Sequence, residues 1–266
     1  SISFAVNTSA DPASELSLKL QLSPKEQSMD DLLQLPEQIA RKKGIRIVVC
    51  IDEFQQIGNF ADTVKFQTKL RSVWQHHELT SYCLFGSRKH MMEALFDDES
   101  KPFFKFGDII YLQRIPKEYW VKYIAEKFGL FGKSITKRQA AWIVERVDGN
   151  SSYVQQLSWY VFQRTESKVT EKILAEALQE LIDQNRDLFE TKTENLTAYQ
   201  MNFLKAVADG VGSGFSTSKV LQDYRLGSSS NVAIIKKALM EKDLIVMENG
   251  AIKLTDPVLG LWLKTV

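Results

Sequence analysis

A run of ten residues, IRIVVCIDEF from Ile45 to Phe54, constrains the fold more than any other part of the sequence. Its interior is an almost unbroken series of β-branched and apolar residues, which is typical of a strand covered on both faces in a parallel sheet. The run ends on two adjacent carboxylates, Asp52 and Glu53. In open parallel sheets, ligands bind beyond the carboxyl ends of the strands. The run therefore predicts a buried strand that presents an acidic pair to a ligand.

The segments around this run predict an α/β sheet with crossover helices. Alternating apolar residues before it predict a β-hairpin from strands at 2–6 and 16–22, and a helix is expected from Met29 to Lys42. The elements expected after it are a helix at 62–77, a strand at 81–87, a helix at 89–96 and a strand at 108–112. Strands that alternate with helices at this spacing are typical of parallel α/β units.

From residue 114 onward the pattern is helical and ends in a second hairpin. Pro116 stands at a helix-opening position, and Thr136 and Thr197 each begin a capping box. After Thr197, three helical segments are followed by two short strands joined through Asn249-Gly250, which is a strong hairpin signal. Three helices followed by a β-hairpin predict a winged helix-turn-helix at the carboxyl end.

Composition and charge exclude several classes of protein. The chain has 266 residues, of which 44% are hydrophobic and 25% charged, as in globular proteins. Its net charge of +1 gives no overall attraction to nucleic acid or acidic lipid. No apolar run approaches the roughly 18 residues that a membrane helix needs, and no signal peptide is visible. Cys50 and Cys83 lie inside apolar runs, which predicts buried thiols in a reducing, cytoplasmic setting.

The ends of two successive predicted strands carry the candidate chemistry. Asp52 and Glu53 suit nucleotide hydrolysis, in which one carboxylate orients Mg²⁺ and a second polarises the attacking water. An ordinary acidic turn is the alternative. The next strand ends in Gly86-Ser87-Arg88, where a hydroxyl and a cation can contact a γ-phosphate. The alternative for Ser87 is a cap on the helix that follows.

The winged helix is the second candidate surface. Residues 196–266 contain seven Lys and one Arg against six acidic residues, with Lys236 and Lys237 on the third helix of the module. A winged helix that reads DNA usually has a more clearly basic face. Packing against the rest of the protein or against a protein partner is therefore slightly favoured over DNA binding.

Five segments carry a family resemblance: VVCIDEFQQI (48–57), YCLFGSRKHMM (82–92), PFFKFGDIIYLQRIPKEYW (102–120), DGNSSYVQQL (148–157) and DPVLGLWL (256–263). Together they resemble the archaeal-type P-loop ATPases of the STAND branch of AAA+ proteins, a group also found in bacteria. In that order, the segments resemble the Walker B strand, the sensor-1 strand, the fifth strand with the entry to the lid, the lid motif, and the end of the winged helix. The resemblance covers nearly the whole chain after about residue 30.

The resemblance implies an ATP-dependent molecular switch that binds and slowly hydrolyses ATP with Mg²⁺. It implies that Asp52 orients Mg²⁺, that Glu53 is the catalytic carboxylate, and that Ser87 or Arg88 has the sensor-1 role. Lys105 corresponds to a cation that acts on the nucleotide of a neighbouring copy. Self-association and a protein partner are therefore also implied.

The same resemblance implies three parts. Residues 1–113 would form the back part of a parallel AAA+ sheet together with the amino-terminal hairpin, residues 114–195 a helical lid, and residues 196–266 the winged helix.

One element of the family pattern is absent from the sequence. The phosphate-binding loop, G-x-x-x-x-G-K-[ST], does not occur in the 266 residues. In the family's strand order, 5-1-4-3-2, the strand that precedes this loop separates the strand at 108–112 from the sensor-1 strand. We therefore expect residues upstream of Ser1 in the parent protein, no direct pairing of 108–112 with 82–85, and poor nucleotide binding by these residues alone. The alternative is a non-enzymatic winged-helix protein that binds DNA or protein on a degenerate ATPase scaffold.

Overall fold

The computed structural model describes residues 3–6, 16–19, 28–87 and 89–266, and the chain forms two compact units, Ser1–Tyr111 and Leu112–Val266. The first unit contains β1 (Ser3–Val6), β2 (Leu16–Lys19), α1 (Met29–Lys43), β3 (Ile47–Ile51), α2 (Thr63–Trp74), β4 (Thr80–Leu84) and α3 (Lys89–Phe96). A 3₁₀ helix, Phe54–Asn59, follows β3. The second unit is helical, with a β-hairpin before its last helix.

The predicted amino-terminal hairpin is confirmed. β1 and β2 pair antiparallel, from Ser3 opposite Lys19 to Val6 opposite Leu16. The rest of the predicted second strand, after residue 19, lies outside the described residues. Helix α1 is also confirmed: a capping box between Ser28 and Asp31 opens it, and Gly44 ends it in the left-handed conformation.

The parallel sheet consists of β3 and β4. Their register runs from Ile47 opposite Thr80 to Ile51 opposite Leu84, with Cys50 opposite Cys83. One side of this sheet packs on a small core of buried side chains: Phe54, Ile57, Leu70, Val73, Trp74, Leu95 and Phe103. The sheet residues that contact this core are Ile51, Tyr82 and Leu84.

The prediction that this strand is covered on both faces, with buried cysteines, is wrong for the described residues. Val48 is 64% exposed, and Cys50 and Cys83 are exposed free thiols. Successive side chains of a strand point to opposite faces. The core therefore covers one face of β3 and β4, and these three side chains occupy the other.

The prediction of a strand at Asp108–Leu112 is also wrong. These residues have no regular secondary structure, and Ile110 is 81% exposed and Leu112 93% exposed. A strand is stable only when a neighbour pairs with its backbone. Residues 108–112 do not pair with β4, as expected, and among the described residues no other strand pairs with them. Their β-forming composition is therefore not sufficient to make a strand.

The elements of the second unit are α4 (Lys117–Leu130), α5 (Lys137–Arg146), α6 (Ser151–Arg164), α7 (Glu171–Gln184), α8 (Arg186–Thr193), α9 (Ala198–Ala208), α10 (Ser218–Asp223), α11 (Ser229–Glu241), β5 (Ile245–Glu248), β6 (Ala251–Leu254) and α12 (Pro257–Leu263). The capping boxes at Thr136 and Thr197 are confirmed. The helix expected over 170–189 is instead two helices. Asn185 separates them because its backbone leaves the helical conformation and its amide donates to the carbonyl of Leu181.

A single hydrophobic core joins the helices of residues 114–195 to the winged helix. It includes Leu157 and Leu181 from the former and Phe203 from the latter, all fully buried. The rings of Phe189 and Trp262 lie 5.9 Å apart within it. These two parts of the chain therefore form one packed unit.

Asp256 connects three helices of this unit. Its side chain, only 14% exposed, caps α12 by accepting from the backbone N–H groups of Val258 and Leu259 at 3.0 and 3.2 Å. It also accepts from the hydroxyl of Tyr153 on α6 at 2.9 Å and lies 3.6 Å from the ammonium of Lys192 on α8. Burial, followed by the charge and hydrogen bond of Asp256, raises the pKa of Tyr153, so the phenol remains a donor.

Replacing Asp256 with Ala is expected to destabilise the second unit by about 2–3 kcal/mol, because it removes a helix cap and a charged hydrogen-bond acceptor. Urea unfolding measures the change. Asp209→Ala is the matched control, because Asp209 also accepts from a tyrosine, Tyr224, at 3.1 Å but is exposed. Equal losses in the two variants would contradict the role given to Asp256.

Candidate active site

The parallel register of β3 and β4 brings their carboxyl ends side by side. Beyond the strands, the N–H of Phe85 donates to the carbonyl of Ile51 at 3.1 Å, and the N–H of Phe54 donates to the carbonyl of Phe85 at 3.0 Å. These two bonds extend the pairing past the regular strands. The turn Asp52-Glu53 on one strand is therefore fixed beside Gly86-Ser87 on the other.

The acidic pair forms a tight, exposed turn. The N–H of Glu53 donates to Oδ1 of Asp52 at 2.7 Å. Glu53 has a φ of 51°, in the left-handed region that a non-glycine residue adopts at a cost of order 1–3 kcal/mol. This conformation reverses the chain from β3 into the 3₁₀ helix, whose first residue, Phe54, is buried in the core. Core packing thus holds the turn in a conformation that the acidic residues do not favour by themselves.

Glu53 and Ser87 are in contact. The hydroxyl of Ser87 donates to Oε2 of Glu53 at 3.4 Å, and the side-chain amide of Gln55 donates to the same oxygen. The sequence offered helix capping as the alternative role for Ser87. Its described hydrogen bond is to Glu53, and α3 begins two residues later at Lys89.

The other two predicted site residues are Arg88 and Lys105. Arg88 lies outside the described residues. Lys105 is exposed, has a φ of 53°, and places its ammonium 4.9 Å from the ring centroid of Phe104. The loop that carries it is anchored by Arg71, which donates to the carbonyl of Phe104 at 2.9 Å and to that of Pro102. Within the described contacts, Lys105 has no hydrogen bond or ion pair with Asp52 or Glu53.

Gln55 is a site residue that the sequence reasoning missed. Its side chain is fully buried, and its amide oxygen has no hydrogen-bond partner among the described residues. That oxygen lies against Gly86, where an added Cβ would be only 1.8 Å away. The sequence feature that could have predicted this contact is Gly86, because a glycine at the end of a strand often marks the close approach of another group.

The acidic pair fits a magnesium ion that arrives with a phosphate ligand. Carboxylate oxygens are suitable ligands, and Mg²⁺ usually binds through one or two carboxylates plus substrate phosphates. Among the described residues, no group of three His, Cys, Asp or Glu side chains could hold a metal by itself. The two carboxylates therefore suit a shared Mg²⁺–phosphate site better than an all-protein metal cage.

The winged helix presents a mixed surface. On α11, Ile234 is 68% exposed, and Lys237 lies 4.0 Å from Glu241. A cavity of about 330 Å³ beside this helix is lined by Tyr199, Gly227, Ser228, Ser230, Asn231 and Ile234. The exposed part of α11 thus combines apolar and paired charged side chains, whereas DNA-reading helices usually present a basic stripe.

Solved structures of two archaeal proteins have folds similar to that of this chain. The Walker-type ATPase PABY2304 of Pyrococcus abyssi aligns with a TM-score of 0.71 at 16% identity, over 93% of this chain and 72% of that one. The chain is therefore similar in fold to that ATPase. The ORC2 protein of Aeropyrum pernix aligns with TM-scores of 0.58 in its ADPNP–ADP complexes and 0.51 in its ADP form, at 12% identity. These alignments cover 92% and 88% of this chain and 72% and 69% of the ORC2 chain.

The carboxyl-terminal part of the chain also matches a protein family. A family described as a probable winged helix domain matches residues 187–265, which confirms the predicted winged helix. The predicted likeness to archaeal AAA+ ATPases is confirmed at the level of the fold. No curated protein matches the sequence. Among the residues that the structure describes, no helix is long and apolar enough to cross a membrane.

Proposed function

We propose that this chain is the Walker B and sensor-1 portion, with the lid and winged helix, of an ATP-dependent molecular switch of the AAA+/STAND class. The observation that carries the proposal is the contact between Glu53 and Ser87 where β3 and β4 end side by side. Nucleotide hydrolysis needs a carboxylate for the water and a polar group that senses the γ-phosphate within one small site. The Walker-type fold supports this interpretation.

Each residue then has a distinct role. Asp52 orients Mg²⁺, which neutralises phosphate charge when it is bound. Glu53 accepts the proton of the attacking water through Oε1, since Oε2 already accepts from Ser87 and Gln55. Ser87 or Arg88, after β4, reads the γ-phosphate. Lys105, exposed on its anchored loop, acts on the nucleotide of a neighbouring copy.

The phosphate-binding loop is proposed to come from outside these 266 residues, either from another part of the protein or from another chain. The sequence has no G-x-x-x-x-G-K-[ST] motif, and one face of the β3–β4 sheet, with Val48 and Cys50, is exposed. The free thiols suit a reducing, cytoplasmic compartment. The proposed parts remain the core at 1–113, the lid at 114–195 and the winged helix at 196–266. We propose that the mixed face of α11 binds a protein partner rather than DNA.

The test is calorimetric titration with Mg-ATP. The 266-residue chain is expected to bind weakly or not at all, and a longer natural form with upstream sequence is expected to bind tightly. In the longer form, Asp52→Ala should weaken binding of Mg-ATP by about tenfold or more while affecting metal-free ATP little, because Asp52 acts through the ion.

Asp62→Ala is the control for this titration, since Asp62 is also an exposed acidic residue next to a helix and makes no side-chain capping bond. It should leave the affinity unchanged. Tight binding by the 266-residue chain would exclude the proposed external loop. Absence of binding by both forms would exclude a loop from the same protein, leaving a loop from another chain or the non-enzymatic alternative.

A further inference from the structure

Gln55 occupies an unusual position for an amide side chain. It is fully buried beside an exposed carboxylate, and it donates to Oε2 of Glu53. The residue after it, Gln56, is exposed and bonds only locally, accepting from Asn59 at 2.9 Å. Burying a polar group without its full set of hydrogen bonds costs free energy, of order 1–3 kcal/mol. Among the described residues, the amide oxygen of buried Gln55 has no hydrogen-bond partner, so its position needs an explanation that exposed Gln56 does not.

The space that Gln55 occupies exists because residue 86 is a glycine. A Cβ on Gly86 would lie 1.8 Å from Oε1 and 2.9 Å from Cδ of Gln55. The φ of Gly86 is not in the left-handed region, so the backbone conformation does not itself require glycine. The two strand ends are therefore complementary in shape. Gly86, just after β4, leaves a space, and the side-chain amide of Gln55, in the turn after β3, occupies it.

From this arrangement we infer that Gln55 is a positioning residue, held in place by Gly86, that fixes the orientation of the Glu53 carboxylate. The inference rests on the proposed function, in which Glu53 accepts the proton of the attacking water. An exposed carboxylate on a tight turn rotates freely unless a neighbour holds one oxygen. Gln55 is rigid because it is buried, whereas Ser87 lies at the longer distance of 3.4 Å and is exposed. Fixing Oε2 leaves Oε1 directed at water.

The experiment uses the natural protein at its full length and measures steady-state ATP hydrolysis. Gln55→Met keeps the side-chain volume and removes the amide; it is expected to lower kcat about 10- to 100-fold with KM for Mg-ATP within about twofold. Gly86→Ala, which displaces Gln55, is expected to act in the same direction. Gln56→Met and Gly107→Ala are the matched controls and should retain the wild-type kcat. A Cβ added at Gly107 would meet no atom within 4 Å.

A double mutant distinguishes an action of Gln55 through Glu53 from a purely structural role of Gln55. If Gln55 acts through Glu53, Gln55→Met has no further effect on kcat in a Glu53→Gln background, since the oriented carboxylate is already gone. An equal loss in both backgrounds, or a kcat for Gln55→Met within about twofold of wild type, would overturn the inference.

A different result would show that the proposed function itself is wrong. In that case the wild-type protein hydrolyses ATP no faster than Glu53→Gln, whatever Gln55 does. The contact itself is then judged by the side-chain amide signals of Gln55 in ¹⁵N NMR spectra, which should shift on Glu53→Ala and not on Glu99→Ala. Unshifted signals would overturn the contact on which the inference depends.

Discussion

ATP hydrolysis by the full-length protein is expected to fall by about 10²–10⁴-fold when Glu53 is replaced with Gln, because the substitution removes the proton acceptor and keeps the shape. Affinity for Mg-ATP should stay within about threefold, since Asp52 and the phosphate-binding loop are unchanged. Phosphate release measured at saturating nucleotide gives the rate, and titration with a fluorescent ATP analogue gives the affinity.

Glu99→Gln is the control for this prediction. Glu99 is an exposed glutamate in the same unit. Its replacement with Gln removes the same charge as Glu53→Gln but leaves the ends of β3 and β4 unchanged. Its variant should hydrolyse ATP at the wild-type rate. If Glu53→Gln also retained the wild-type rate, the catalytic role of Glu53 and the proposed function would both be rejected.

The first unit is expected to lose about 3–5 kcal/mol of stability when Phe54 is replaced with Ala. Phe54 is 2% exposed, and its ring lies 5.6 Å from that of Phe103 and 6.2 Å from that of Trp74. Among the described residues, the core to which it belongs consists of seven buried apolar side chains, Phe54 included. Whole domains are typically stable by about 5–15 kcal/mol, so a loss of this size removes a large part of the stability of this unit.

Hydrogen exchange followed by mass spectrometry locates the effect of Phe54→Ala, because the two units of the chain need not unfold together. Protection should be lost in β3, β4 and α2 and retained in α4 to α12. Phe60→Ala is the control: Phe60 lies six residues away and is 50% exposed, so its loss should cost about 1 kcal/mol or less. Equal effects would mean that the core is not centred on Phe54.

The helical part of the chain was predictable because its signals are local. A capping box needs only two residues three positions apart, and both Thr136 and Thr197 open the helices that they predict. Asn249-Gly250 likewise marks the turn between β5 and β6, because few other residues accept its backbone conformation. Such features depend on neighbours along the chain and are present before any tertiary contact forms.

The sheet was predictable only in part. The apolar run at 47–51 forms β3, but the similar run at 108–112 forms no strand. Their compositions are alike, and the difference is that β4 pairs with the first and no described strand pairs with the second. Burial of Cys50 and Cys83 failed for a related reason: an apolar run indicates a strand but does not say which of its faces another element covers.

The sequence alone determined the acidic pair, its place at the end of a strand, and the winged helix that follows. It determined these because strand periodicity, adjacent carboxylates and turn residues are local properties. The tertiary structure alone decided that Ser87 contacts Glu53, that Lys105 has no described hydrogen bond or ion pair with Glu53, and that buried Gln55 fits against Gly86. Those facts depend on the parallel register of two strands about thirty residues apart, and a pairing register is set by packing between segments, which no local pattern contains.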